Sequence, residues 1–261
     1  MTTIHVTHED AVAHVTLARP EVRNAFNAEV IRELRDAFTA LSSDARVRVV
    51  VLAGEGKTFS GGADVNWMRD ALALSYDDNV ADAEAMSDMF RAIDRCSKPV
   101  VGRIHGAALG GGAGLTAACD IAIAADGTTF GFTEVKLGII PAVISPFVLA
   151  KIGQSHARAL FLTGERFNAK HALTIGLVHQ VVGEDDLDKA VASVVRELRS
   201  CGPNAVAAAK TLIARVAAAT YDETRAITAA MIAKQRTSEE GQEGLHAFLE
   251  RRPASFVHDG E

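Results

Sequence analysis

The sequence predicts an α/β fold that ends in a run of helices, and three observations carry that prediction. Strand-like and helix-like stretches alternate through the first two-thirds of the chain. Glycine-bearing loops follow two of the strands. Beyond about residue 183 only helical periodicity is found.

Taken in order, Thr2 to Thr7 and Ala11 to Leu17 alternate apolar and polar residues, with Ile4 and Val6, then Ala13, Val15 and Leu17, on one face. His8-Glu9-Asp10 reads as the polar turn between them, and Arg19-Pro20 stops the second strand. Asn27 is an N-cap for a helix carrying Val30, Ile31, Leu34, Phe38 and Leu41 on one side. Arg46 to Ala53 is a buried-strand run, followed by a loop from Gly54 to Asp64. A helix is expected over Val80 to Arg95, with Ala85, Met86, Met89, Phe90 and Ile93 together. Pro99 to His105 reads as a strand, then come Gly110 to Gly112, a short helix, and a strand from Asp120 to Ala125. Leu187 to Leu198, Asn204 to Val216, Thr224 to Gln235 and Glu239 to Arg252 read as helices. The expected division is a core over 1–200 and a helical segment over 201–261, packed on the core or on a neighbouring subunit. The stripe of Ile227, Met231 and Leu245 fits ordinary packing.

Composition narrows the function. The 261 residues are 48% hydrophobic and 23% charged, which suits a globular protein and not a disordered one. With 33 acidic against 27 basic residues the net charge is -6, so a general nucleic-acid binder is not expected. No apolar run approaches a membrane span, and the opening MTTIHVTHED has neither a basic start nor an apolar segment, so a cytoplasmic protein is expected. The three cysteines are widely spaced and fit reduced thiols. The histidines show no metal spacing, and neither a zinc-protease helix motif nor a serine-hydrolase elbow occurs. Gly54 to Thr58 ends like a phosphate-binding loop, but Val51 stands where its first glycine belongs.

Three segments could carry chemistry. Leu109 to Gly114 follows a strand and opens a helix, where unsatisfied amides and the helix dipole suit an anion or developing oxyanion; tight helix–strand packing is the bland alternative. Phe59 to Met68 is a second glycine turn, and a free amide near Ala63 could aim at the same oxygen as one from Gly111. Trp67 and Met68 are either core or pocket wall. Glu134 lies among Phe130, Phe132, Leu137, Ile139 and Ile140, and burial there would raise its pKa toward that of a neutral-pH acid or base; a salt bridge to Lys136 is the alternative.

In combination these segments resemble the enoyl-CoA hydratase/isomerase (crotonase) family. The resemblance rests on Arg19-Pro20 with Asn24 to Asn27, Phe59 to Asp64, Gly106 to Gly112, Cys119 to Ala124, Glu134 with Leu137 to Pro141, and Glu243 to Arg252, in family order over nearly the whole chain. It implies a crotonase-like spiral of ββα repeats with a C-terminal helical oligomerisation segment, giving trimers, usually paired into hexamers. It implies acyl-CoA substrates and no cofactor, since coenzyme A is part of the substrate. The thioester oxygen would be held by the Ala63 and Gly111 amides, with Glu134 as acid/base. Ala63, Asp64, Val65, Asn66, Trp67, Gly110 and Gly111 would line the CoA and acyl path. Adenine would pack near Val22 to Ala25, with Arg23, or Arg251 and Arg252 of a neighbour, at the phosphates.

The family hydratases normally carry a second glutamate at the position of Gly114. Its replacement by glycine is expected to open room for a branched or carboxylated acyl chain, with Asn66, Asp70, Ser145, a substrate carboxylate or a bound water as candidate substitutes. The segments around Asn66, Gly114 and Thr133 to Pro146 look like those of bacterial methylglutaconyl-CoA hydratases and the related hydratase of acyclic isoprenoid breakdown. A general enoyl-CoA hydratase, a double-bond isomerase and a non-catalytic acyl-CoA binder are the other readings.

Overall fold

The computed structural model describes residues 2–257. Its frame is a six-stranded sheet built from β1 (Ile4–Glu9), β2 (Val12–Leu17), β3 (Val49–Gly54), β4 (Val100–Ile104), β6 (Ile121–Ala125) and β9 (Gln180–Val182), neighbours in that order. Only the β1–β2 hairpin is antiparallel; the other pairs run parallel. A smaller sheet joins β5 (Ala107–Leu109), β7 (Thr129–Gly131) and β8 (Arg166–Asn168).

The parallel strands are apolar at consecutive positions because both faces of the large sheet are covered. Val50 and Leu52 face the main core with Phe38, Phe90 and Ile93. Val49 and Val51 face the opposite way, under Leu187 and Val191 of α7 (Leu187–Ser200). The edge strand departs from expectation: Ile4 is buried, but Val6 is exposed. Its turn also falls later, at Asp10 and Ala11, both with positive φ (43° and 65°), so β1 extends through Glu9.

The chain spirals. Each turn lays one strand in the large sheet, one short strand or bridge in the small layer, and then a helix. Thus β4 and β5 lead into α4 (Gly111–Ala118), and β6 and β7 lead toward α5 (Ser145–Thr163). Single-residue bridges continue the small layer backwards, Ser60 to Ala108 and Phe26 to Ala63. The expected ββα spiral is therefore the observed architecture. Sequence periodicity alone left out β5, β7, β8 and β9, which have three residues each, together with α5, α6 (Ala169–Thr174) and α2 (Val65–Ala71).

Asn27 caps α1 (Ala28–Ser43) as expected, accepting from the Val30 amide at 2.9 Å. The helix α3 (Tyr76–Asp94) begins about a turn earlier than its apolar pattern suggests. Ser75 and Asp78 form a capping box there, with Ser75 Oγ accepting from the Asp78 amide. The last three helices are α8 (Pro203–Ala217), α9 (Tyr221–Arg236) and α10 (Glu239–Glu250). Lys210 ties α8 to the core through Asp120 at 2.7 Å, and Arg48 Nη1 donates to the Phe256 carbonyl at 2.6 Å. The helices α8 and α9 bury no residue completely.

Candidate active site

The site forms where the small layer ends against α4. Phe26 and Ala63 pair as a one-residue parallel bridge: the Phe26 amide donates to the Gly62 carbonyl at 2.7 Å, and the Asp64 amide donates to the Phe26 carbonyl at 2.8 Å. The two bonds use the groups on either side of Ala63. The Ala63 amide itself has no acceptor among the described residues. Gly111 is the first residue of α4, so its amide has no intrahelical partner, and none is supplied elsewhere among the described residues.

Two glycines let these turns meet. Gly62 has φ +95°, and a side chain there would strike the Leu109 carbonyl at 2.9 Å. Gly110 has φ +51°, and a Cβ on it would lie 3.2 Å from Glu134 Oε1. The glutamate carboxyl therefore stands directly over the turn that presents the Gly111 amide.

Glu134 opens a short 3-10 turn over Glu134–Leu137 that Gly138 closes in the left-handed conformation. The preceding Phe132 is fully buried and packs edge-on against Phe161 at 5.0 Å, which anchors the segment. Glu134 Oε2 is buried without a hydrogen-bond partner, and no ion pair joins Glu134 to Lys136 among the described residues. Burial pushes the Glu134 carboxyl above its ordinary pKa, only partly offset by the residue's own backbone amide.

Two cavities meet at Ala63. One, of about 400 Å³, is lined by Ala63, Gly110, Gly111, Glu134 and Trp67. Its remaining wall is mostly apolar, with Met68 and Ala71 of α2, Met86 of α3, Leu137, and Ile139 to Ile144. The second, of about 530 Å³, is a groove lined by Arg23, Ala25, Asp64, Val65, Asn66 and Arg166 among others. A ligand threaded from groove to cavity would pass Ala63, beside the free amides.

The predicted residues therefore divide. Ala63, Trp67, Gly110, Gly111 and Glu134 surround the first cavity; Arg23, Ala25, Asp64, Val65 and Asn66 line the groove, which Ala63 also borders. Asp64 is chiefly a strut. It caps α2 by accepting from the Asn66 amide, and it pairs with Arg19, which also donates to the Ala25 carbonyl. Those bonds hold the Asp64 carboxyl below its ordinary pKa despite its burial. Asn24 is another strut: its side chain donates to the Glu55 and Thr58 carbonyls and accepts from the Arg19 amide.

Gly114 is a correction. It lines neither cavity and opens no space. It is buried within α4, and a Cβ built on it would lie 2.3 Å from Ile144 Cγ2 and 3.0 Å from Phe90 Cζ. Ile144 already fills the room that the glycine was expected to free. Asp70 and Ser145 line neither cavity, and Ser145 Oγ is spent on the Ala142 carbonyl. Arg252 is committed to Glu243 and Glu250 of its own chain.

Two site residues escaped sequence reasoning. Arg166 enters the groove from β8, a strand too short to show a period. Asp82 lines the first cavity from α3. It stands one turn before Met86, so the one acid on that apolar face was a readable signal.

Comparison with known proteins agrees with this geometry. The family model described as enoyl-CoA hydratase/isomerase matches residues 7–259. A crotonyl-CoA hydratase of Syntrophomonas wolfei is 33% identical over 95% of each chain. A short-chain-enoyl-CoA hydratase of Clostridium acetobutylicum is 31% identical over 94% of this chain and 93% of its own. Among solved structures, an enoyl-CoA hydratase of Shewanella pealeana superposes with a TM-score of 0.94 at 38% identity, covering 97% of this chain and 95% of that one. AtuE of Pseudomonas aeruginosa gives 0.95 at 34%, covering 98% and 100%.

Proposed function

The chain belongs to the enoyl-CoA hydratase/isomerase family, and from that premise we propose that it adds water reversibly across the double bond of a 2-enoyl-CoA. The supporting observation is the juxtaposition of a buried, unpartnered Glu134 carboxylate oxygen with a turn presenting a free helix-terminal amide. The coenzyme A part of the substrate occupies the groove, where Arg23 and Arg166 supply the positive charge for its phosphates. The acyl part enters the apolar cavity.

The thioester oxygen is bound by the Ala63 and Gly111 amides. Water attack at C3 moves the double-bond electrons toward C2 and onto that oxygen, forming an enolate. Donors already oriented toward the oxygen stabilise that charge more than the neutral thioester, an effect of about 3 kcal/mol per donor in comparable sites. Glu134 takes a proton from the attacking water and returns one to C2, so charge balances over the cycle. This sequence of steps asks only for two amides, a carboxylate and a water molecule, and no further cofactor is proposed.

The methylglutaconyl reading loses its structural support once Gly114 proves to be packed by Ile144. No Lys, Arg or His among the described residues lines the acyl cavity to meet a second carboxylate. An apolar acyl chain fits the walls better. The experiment is a panel of enoyl-CoA thioesters followed by ultraviolet absorbance and mass spectrometry. Crotonyl-CoA is expected to lose conjugation and gain the mass of water. Migration of the double bond without a mass change would replace hydration with isomerisation, and binding without either would make the chain a non-catalytic binder.

We also propose a trimer or a hexamer. Ile213, Phe248 and Leu249 of α8 and α10 are 71%, 80% and 76% exposed in the single chain, which leaves apolar surface for a neighbour to cover. Light scattering at micromolar concentration is expected to return a multiple of three chains; a monomer's mass would refute it.

A further inference from the structure

Among the described residues, two ionisable side chains line the acyl cavity. One is Glu134. The other, Asp82, enters from α3 one turn before Met86, and its carboxyl lies beside the Trp67 indole of α2. The proposed reaction does not use it. It makes no ion pair among the described residues. Burial raises its pKa above the ordinary aspartate value, and the Trp67 indole partly offsets that rise.

An acid in a mostly apolar wall without a cation is partly desolvated, as the half-buried Asp82 is. It also makes one discrimination that apolar neighbours cannot make. A hydrocarbon chain passes an aspartate with little penalty. A chain ending in a carboxylate would bring a second negative charge up to the half-buried Asp82 carboxyl. We propose that Asp82 sets the acyl specificity of this cavity, admitting neutral acyl chains and rejecting those that carry a terminal carboxylate. The inference rests on the reading of the cavity as the acyl site. It deepens that reading by naming the excluded substrate class and the residue that excludes it. Repulsion of the wrong ligand is as effective a source of selectivity as attraction of the right one.

The test uses binding, so that it does not depend on turnover. Dissociation constants for butyryl-CoA and glutaryl-CoA, saturated thioesters of neutral and anionic chains, are measured by calorimetry for the wild type, Asp82→Asn, Asp82→Lys and Asp88→Asn. Asp88 is an exposed acid on the same helix that lines neither cavity, so it controls for net charge. The wild type is expected to prefer butyryl-CoA. Asp82→Asn is expected to move the ratio of constants toward glutaryl-CoA by about tenfold, and Asp82→Lys further, while Asp88→Asn leaves the ratio in place. An unmoved ratio in both folded Asp82 variants, or an equal movement in Asp88→Asn, overturns the proposal. Binding of neither thioester to the wild type overturns the acyl-site reading as well. Tight butyryl-CoA binding without hydration of crotonyl-CoA defeats the proposed reaction alone.

Discussion

Glu134→Gln lowers kcat on crotonyl-CoA by about a thousandfold, the usual size of a general acid–base contribution. The amide keeps the shape of the side chain, so the Gly110 turn beneath it is undisturbed. It removes the group that can accept a proton. In the proposed reaction the substrate contacts are the amides and the cavity walls, so KM should change little and the loss should fall on kcat. The pH profile gives an independent readout. Burial raises the Glu134 carboxyl above its ordinary value, and the proposed reaction needs the carboxylate form, so activity should fall as pH drops through that raised value. The acid limb of the wild-type kcat profile is therefore expected above the ordinary glutamate pKa. The residual activity of Glu134→Gln should lack it.

Stability moves in the opposite direction. A carboxyl with a raised folded-state pKa binds its proton more tightly when the chain is folded. Ionisation therefore opposes folding as pH rises above the unfolded-state value. At neutral pH the Glu134→Gln variant, which has no charge to desolvate, should melt no lower than the wild type. A variant with wild-type kcat, or one whose activity loss follows a lower melting temperature, would remove Glu134 from the reaction. A site that accepts a loss of stability to hold a reactive carboxylate is the pattern expected of a catalytic group.

The legible parts of this molecule share a physical cause. The helix α1 was readable because five buried side chains recur at helical spacing behind an asparagine cap. The strand β3 was readable because two covered faces demand an unbroken apolar run. Strands of three residues give no period, so β5, β7 and β8, the layer that holds the site, were invisible as strands. The two site turns were found instead through the glycines around 61–62 and 110–112, because a left-handed turn or a close backbone approach restricts the residue type locally. Glu134 stood out by its apolar neighbours in sequence, and its carboxyl is indeed partly buried, although Leu137, Ile139 and Ile140 themselves stay exposed in the single chain. Gly114 misled for a related reason. A small residue in sequence suggests space, but whether space exists depends on what packs against it, and Ile144 lies 30 positions away. Arg166 reaches its groove through tertiary pairing alone, with Gly131 opposite it across β7 and β8.

The same collision makes Gly114→Glu the most damaging substitution expected near the site. Replacing a helical glycine normally gains up to about 1 kcal/mol of helix propensity. Here the added Cβ would sit 2.9 Å from Ile144 Cβ and 2.3 Å from its Cγ2, atoms held close to the backbone that cannot swing aside. Overpacking of that kind costs about 1–3 kcal/mol, and a carboxylate forced into the same buried position adds more. The single variant should lose about 3 kcal/mol or more of stability, read as a lower denaturant midpoint with an unchanged slope. Ile144 also lines the cavity beside Glu134, so Ile144→Ala both relieves the 2.3 Å collision and opens a path from position 114 into that cavity. The double variant Gly114→Glu with Ile144→Ala is expected to recover about 2 kcal/mol of that loss, short of the full amount because the Cβ–Cβ and Phe90 contacts remain. If the second carboxylate then reaches the water, kcat on crotonyl-CoA should exceed that of Ile144→Ala alone by about tenfold, since two carboxylates divide the proton transfers that Glu134 otherwise performs. A double variant that folds but is no faster than Ile144→Ala would show that one carboxylate suffices here. A Gly114→Glu single variant as stable as the wild type would show that the helix and Ile144 do not pack as described.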